Sequence, residues 1–432
     1  MSGFSLGLTG IGVMFVLLFL RQPVWLSLAI IGILGNIVYN SLNTAQYVAG
    51  TVFFDAASNY NLSVIPLFVL MGEVASGSRM SAELFKAARV IVSGLRGGLA
   101  VASLVASGAF GAICGSSVAT AASMTRIAMP EMRKARYDDG YAAGSIAAGG
   151  SLGILIPPSI ILVIYGSIAE QSIAKLFAAS MFPGIVLMLI YIAVALWIAR
   201  RSNMVPPESS ASLLDRILAL RHAWQFALLF IATIGGIYTG VFSPNEAASV
   251  GAFGAIVLGF LRRSLDVAGV VKAVQAAVIV SCALFMIVIG ATLFSQFIVQ
   301  TRLPDTLLAL AQGADLSPAM VMALIIVIFI VMGCFLEGIG MVLITVPVFL
   351  PVVVGYGFDP ILFGVLVAVL VELGLITPPV GMNLFIIRAQ VPDMPMIQLY
   401  RGIVPYLIAP IILIVLIFAF PQLTLWLPAF LY

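Results

Sequence analysis

Apolar residues run along this chain in long blocks, each near the ~20 residues that a helix needs to cross a bilayer. Ten blocks read as membrane spans: 4–20, 23–41, 63–77, 141–169, 174–199, 223–242, 246–261, 273–300, 361–388 and 403–429. Two more regions, 98–129 and 317–351, are apolar overall but interrupted at their centres. The first block follows a start without basic residues and ends at Arg21, so it reads as the first membrane helix and not as a cleaved leader.

The basic residues decide how to treat the two interrupted regions. With both as re-entrant hairpins and the amino terminus outside, 17 of the 20 Lys and Arg residues face the cytoplasm. Lys175 and Arg302 fall outside, and Arg126 lies within the first hairpin near its cytoplasmic end. Cytoplasmic loops carry such an excess of positive charge. Treating either region as one ordinary span inverts every later loop and destroys the bias.

An internal repeat supports the same plan. Shifted by 221 positions, residues 130–158 fall on 351–379 with seven identities: Pro130/Pro351, Asp138/Asp359, Ala147/Ala368, Leu152/Leu373, Gly153/Gly374, Pro157/Pro378 and Pro158/Pro379. Roughly two are expected by chance from composition. Each copy reads as a broken hairpin, a short loop with Asp, then a helix broken at Gly-x-x-x-Pro-Pro, and the topology makes the copies inverted. The predicted fold is therefore all-α: a polytopic membrane protein with inverted repeats, two re-entrant hairpins and two broken helices. Inverted repeats with interrupted segments at matching positions mark the binding site of a secondary transporter.

Composition agrees, with 62% hydrophobic and 9% charged residues where soluble domains carry roughly 25% charged. The basic residues form no patch suited to nucleic acid. The cysteines Cys114, Cys282 and Cys334 have no metal spacing and read as small packing residues. The only histidine, His222, lies beside Arg221 before an apolar run, which leaves a histidine-based hydrolase without a base in the right place. No paired aspartates or His–Glu metal motif stand within the apolar blocks, against an intramembrane enzyme.

The four interrupted elements carry the candidate chemistry. From Gly98 to Ser123, 19 of 26 residues are Gly, Ala, Ser, Thr or Cys, which permits close helix packing. The run Gly115-Ser116-Ser117 favours a turn at the tip, with Thr120 just beyond it. In the first broken helix, Gly153 and Pro157-Pro158-Ser159 withhold two backbone donors and free carbonyls one turn earlier. Free carbonyls in lipid cost several kcal/mol unless satisfied, and a sodium ion satisfies them. The second half offers Glu337-Gly338 at its tip and Gly374, Thr377-Pro378-Pro379, Gly381 and Asn383 at its break. The expected sodium ligands are thus Gly115, Ser116, Ser117, Gly153, Pro157, Gly338, Gly374, Thr377, Pro378 and Gly381. The expected substrate contacts are Ser116, Thr120, Ser159, Glu337 and Asn383, where half-helix amino termini suit a carboxylate. Glu73, Glu246, Glu337 and Glu372 are the acids within apolar segments, and Glu246 also reads as a helix cap at the outer surface.

Two motifs resemble a known family. Gly357-Phe-Asp-Pro360 with Gly374-Leu-Ile-Thr-Pro-Pro-Val-Gly-Met-Asn383-Leu-Phe is similar to the carboxy-terminal signature of TRAP (tripartite ATP-independent periplasmic) transporter large permease subunits. Tyr238-Thr-Gly-Val-Phe-Ser-Pro-Asn-Glu246 resembles their mid-chain motif, with Ser243 where many members have Thr. The resemblance covers nearly the whole chain. It implies an elevator-type carrier in which a transport domain (91–170 and 303–392) slides against a scaffold (1–90, 171–302 and 393–432). It further implies a bacterial inner-membrane protein with a periplasmic amino terminus, driven by Na⁺. The implied substrate is an organic acid such as a C4-dicarboxylate or sialic acid, delivered by a periplasmic binding protein. A separate small membrane subunit is expected. A stand-alone sodium/anion symporter shares the hairpin plan but lacks the Pro-Pro-Val-Gly-Met-Asn signature.

Overall fold

The structure, a computed structural model, describes residues 2–201 and 211–432, and every regular element among them is helical. Six helices are long and apolar enough to cross a membrane: Tyr60–Gly77, Ile173–Arg201, Pro244–Leu261, Val267–Gln300, Gly338–Gly355 and Met396–Ala419. A seventh arises if Leu213–His222 and Trp224–Tyr238, bent by 53°, count as one span. Shorter apolar helices include Gly3–Phe19 and Val24–Tyr39. Large apolar side chains stand on the outside, Phe253 71% and Ile279 70% exposed, while Ser, Thr, Asn and Glu side chains are buried inside. A surface of that kind is stable against lipid tails and not against water.

Several expected spans are redrawn. The block 403–429 is not one helix: it ends at Ala419, turns at Phe420–Pro421, and continues as Gln422–Leu431 packed against Ile173–Arg201. Pro421 has no N–H to extend the helix. The segments between blocks also hold unexpected helices, Leu42–Ser58, Met80–Ile91, Leu213–Ala219 and Leu303–Gly313. In Met80–Ile91 the residues Met80, Leu84, Phe85 and Ala88 are buried while Lys86 and Arg89 are exposed, a one-faced pattern at helical spacing. Residues 202–210 of the expected cytoplasmic loop lie outside the described residues. Glu246 is settled as a cap: its carboxylate accepts from the Ser243 N–H at 2.8 Å, closing a capping box.

Both interrupted regions are helical hairpins. The first has arms Gly98–Cys114 and Ser117–Lys134, and the second Pro318–Gly333 and Gly338–Gly355. The broken helices are Asp139–Ser151 with Ile160–Ile168, and Pro360–Ile376 with Met382–Gln390. The 221-residue shift maps Ser117–Lys134 end for end onto Gly338–Gly355. It also maps the caps: Ser116 and Glu337 each begin a second arm, and Asp138 and Asp359 each begin a broken helix. The bonds Pro157–Pro158 and Pro378–Pro379 are both cis. The repeat read from seven identities therefore extends through the whole hairpin-and-helix unit.

Candidate functional site

Each hairpin tip leans on the broken helix of its own half through glycine-on-glycine contact. Gly111 and Gly153 approach so closely that a Cβ built on Gly153 falls 3.3 Å from the Gly111 Cα. In the second half a Cβ on Gly374 falls 2.8 Å from the Gly333 Cα. Backbones meet this closely only where side chains are absent. Gly111 and Gly333 open the two hairpin-centre runs in the sequence but were not among the expected ligands; each lies about one turn before a hairpin tip, and that position was the available signal.

The tips also cross between halves. Asn383, the second residue after break two, donates from Nδ2 to Ser117 Oγ at 2.7 Å, while that hydroxyl lies 3.0 Å from Asn383 Oδ1. Asn383 also reaches the Ala147 carbonyl at 3.4 Å. At the corresponding place in the other half, Gly338 of tip two lies near Ile161, adjacent to Leu162, the repeat mate of Asn383. Ser117 and Gly338 are repeat mates, since 117 + 221 = 338. Four half-helix amino termini thus meet in two pairs, each contributing a positive dipole end.

The other expected ligands take defined places. Gly115 adopts φ +65 at tip one, and its carbonyl accepts from the Ile160 N–H at 3.4 Å. The Ser116 hydroxyl caps the second arm through the Ala119 N–H, and Thr120 Oγ1 donates back to the Ser116 carbonyl at 2.8 Å. Ser159 is 1% exposed and caps Ile160–Ile168 through the Leu162 N–H. Pro157 and Pro158 occupy the positions whose N–H groups would otherwise reach the Gly153 and Ile154 carbonyls. Glu337 is half-buried and caps the second arm of hairpin two, accepting from the Gly340 N–H at 3.0 Å. Thr377 Oγ1 donates to the Leu373 carbonyl at 2.6 Å, beside Pro378, and Gly381 at φ +55 starts the second half-helix. Of the five expected substrate contacts, Ser116, Thr120 and Asn383 gather at tip one, while Ser159 and Glu337 lie at other helix starts; Ser116, Ser159 and Glu337 all serve as caps.

Glu372 stands apart. It is fully buried, and among the described residues neither carboxylate oxygen has a hydrogen-bond partner. Its repeat mate Ser151 faces it but donates to the Ala148 carbonyl at 2.8 Å, and Ser151 lies 3.2 Å from the Tyr191 hydroxyl. The two broken helices therefore cross at equivalent residues, 151 and 372. At the base of hairpin one, Arg133 binds Asp139 at 2.7 Å and Asp393 at 2.8 Å. The Arg133 guanidinium holds the Asp393 carboxyl below the usual carboxylate range. Among the described residues, no group of three or more His, Cys, Asp or Glu side chains could hold a metal ion.

Paired hairpins set against paired broken helices define a membrane-transporter fold. The solved YdaH transporter of Alcanivorax borkumensis shares it, with a TM-score of 0.59 at 16% identity over 88% of this chain and 90% of that one. Residues 11–423 match the family described as "Tripartite ATP-independent periplasmic transporter, DctM component", and the chain belongs to that family. It is similar to the C4-dicarboxylate TRAP transporter large permease protein DctM of Pseudomonas aeruginosa, 34% identical over 87% of this chain and 88% of the relative. It is also similar to the sialic acid TRAP transporter large permease protein SiaM of Vibrio cholerae, 32% identical over 95% and 96%. These relatives are permease components, so the chain is a transport protein and not an enzyme.

Proposed function

We propose that this chain takes up a small organic acid by sodium-coupled symport across the bacterial inner membrane, with its amino terminus in the periplasm. The reciprocal contact of hairpin tips with half-helix amino termini, centred on Ser117 and Asn383, carries the reading. Oxygen ligands lie near each double proline, and dipole ends suited to a carboxylate lie beside them. Both relatives are named for carboxylate-bearing solutes. In this reading 91–170 and 303–392 move together as an elevator against the remaining segments. A periplasmic binding protein delivers the acid, and a small membrane subunit completes the complex.

The driving force is adequate. One charge crossing 100 mV is worth about 2.3 kcal/mol, and a tenfold sodium gradient adds about 1.4 kcal/mol per ion. Two sodium ions with a monoanion supply roughly 5 kcal/mol; with a dianion the electrical part cancels and about 2.8 kcal/mol remains.

Proteoliposomes containing this chain and its small partner test the proposal. Labelled succinate and N-acetylneuraminate are offered with and without a sodium gradient and the cognate binding protein. Uptake that requires both supports the three-part reading. Sodium-driven uptake without the binding protein favours a stand-alone symporter, and uptake indifferent to sodium overturns the coupling.

A further inference from the structure

Several basic side chains near the base of hairpin one pair with carboxylates: Arg89 and Lys134 with Glu131, Arg133 with Asp139 and Asp393, and Arg262 with Glu83. One cavity on the same face departs from this. It measures about 640 Å³ and lies between the second arm of hairpin one, helix Val64–Gly77 and the start of helix Val267–Gln300. Three cations line it, Arg79, Arg126 and Lys272, each from a different element and each exposed. Among the described residues none of the three forms an ion pair or a side-chain hydrogen bond. Glu73 is the only acid in the lining, and it faces Arg126 across the gap without reaching salt-bridge distance. The Ser76 and Ser123 hydroxyls, 3.0 Å apart, bridge the same two helices and add polar groups to the wall.

Three cations against one acid leave an excess of two positive charges, in a concave site large enough for a small organic anion. A guanidinium offers the planar pair of donors that a carboxylate accepts. Arg126 is also placed on the transport path. It shares an arm with Ser117, nine residues away, which is about 14 Å along a helix toward the side that the charge bias assigns to the cytoplasm.

We propose that this cavity is an anion-binding station on the cytoplasmic side, where Arg126, supported by Arg79 and Lys272, holds the carboxylate of the transported acid after it leaves the hairpin tip. Glu73 is the counter-charge that the acid displaces on arrival and that favours its release. The inference rests on the carrier reading above and adds a site and a residue to it.

An engineered cysteine tests it in the full complex with the small subunit, held in nanodiscs. Ala276→Cys places a thiol in the lining, with Cys114, Cys282 and Cys334 changed to Ala. The rate of its modification by an anionic methanethiosulfonate, relative to a cationic one, reads the potential in the cavity. This ratio is expected to fall at least fivefold in Arg126→Gln and to stay within twofold in Arg126→Lys. Millimolar succinate or N-acetylneuraminate is expected to slow the modification at least threefold, and this protection disappears in Arg126→Gln. A ratio and a protection indifferent to Arg126→Gln overturn the site. Slowing by phosphatidylglycerol in the nanodisc, with neither acid effective, overturns it in favour of a lipid headgroup. Sodium-driven uptake by the same purified complex, reconstituted into sealed proteoliposomes, separates the two readings: uptake without protection refutes the station alone, and Arg126-dependent protection without uptake refutes the carrier reading alone.

Discussion

Replacing Gly374 by Ala inserts one methyl group where hairpin two crosses its broken helix. The new Cβ lies 2.8 Å from the Gly333 Cα and 3.1 Å from the Gly333 carbonyl oxygen. Carbon atoms are comfortable at roughly 3.5–4.0 Å, so the two helices must part by about 0.7 Å or more. Overpacking by a methyl costs about 1–3 kcal/mol. Exchanging Gly for Ala inside a helix returns about 0.5–1 kcal/mol, which leaves a net loss of about 1–2 kcal/mol. The expected fall in Tm, read by thermal unfolding of the purified protein in detergent, is about 2–6 °C. Transport should suffer more, by tenfold or greater, because the parting displaces the carbonyls beside Thr377 and Pro378. The repeat mate gives an internal scale: the Cβ of Gly153→Ala meets Thr120 Oγ1 at 3.0 Å and the Gly111 Cα at 3.3 Å, so it should be milder. Gly50→Ala meets nothing within 4 Å and should match or exceed the wild-type Tm. A Gly374→Ala protein with wild-type Tm and uptake would refute the close-packing account.

Three further outcomes follow. Asn383→Ala removes the bonds to Ser117 and the Ala147 carbonyl and leaves buried groups unpaired, at about 1–3 kcal/mol; it should lower Tm and abolish uptake, whereas Ser117→Ala should be milder, because Asn383 keeps its bond to Ala147. Changing Pro378 and Pro379 together to Leu restores two backbone donors and should abolish sodium-dependent uptake while the protein still inserts, as read by membrane fractionation and flux. Arg133→Gln should lower Tm by about 1–3 °C at pH 7. The contribution of Asp393 to this network has a definite pH dependence: its folded carboxyl titrates below the ordinary value of 3.8, so the contribution is complete above that value and is lost only as pH falls through the lowered one. Wild-type and Arg133→Gln Tm values should therefore stay separated by the same amount from pH 5 to 8 and converge only in stronger acid.

Much of this protein was written in its apolar blocks. Lipid demands that every backbone group be satisfied within a helix, so block length and interruption translate almost directly into spans, hairpins and breaks. Both hairpin tips and both double-proline breaks fall where the sequence placed them, and the 221-residue repeat anticipated the matching caps. The helix Met80–Ile91 was legible too, but its one-faced pattern was masked by the charges around it. The turn at Phe420–Pro421 was missed because hydropathy alone does not register direction.

Tertiary structure decided the rest. Asn383 and Ser117 are 266 positions apart, and no local rule pairs them. Gly111 with Gly153 and Gly333 with Gly374 become special only when two backbones cross, since a glycine's use depends on what approaches it. The sequence set Glu337 and Glu372, inside the repeated core, above Glu73 and Glu246; Glu246 and Glu337 proved to be caps, and Glu372 a buried carboxyl without a hydrogen-bond partner among the described residues, opposite its own repeat mate. The three cations around Arg126 are scattered over nearly 200 positions of sequence and form a cavity only through packing. Periodicity and breaks act over one or two turns and can be read along a chain, whereas contact, burial and field depend on which turns the fold brings together.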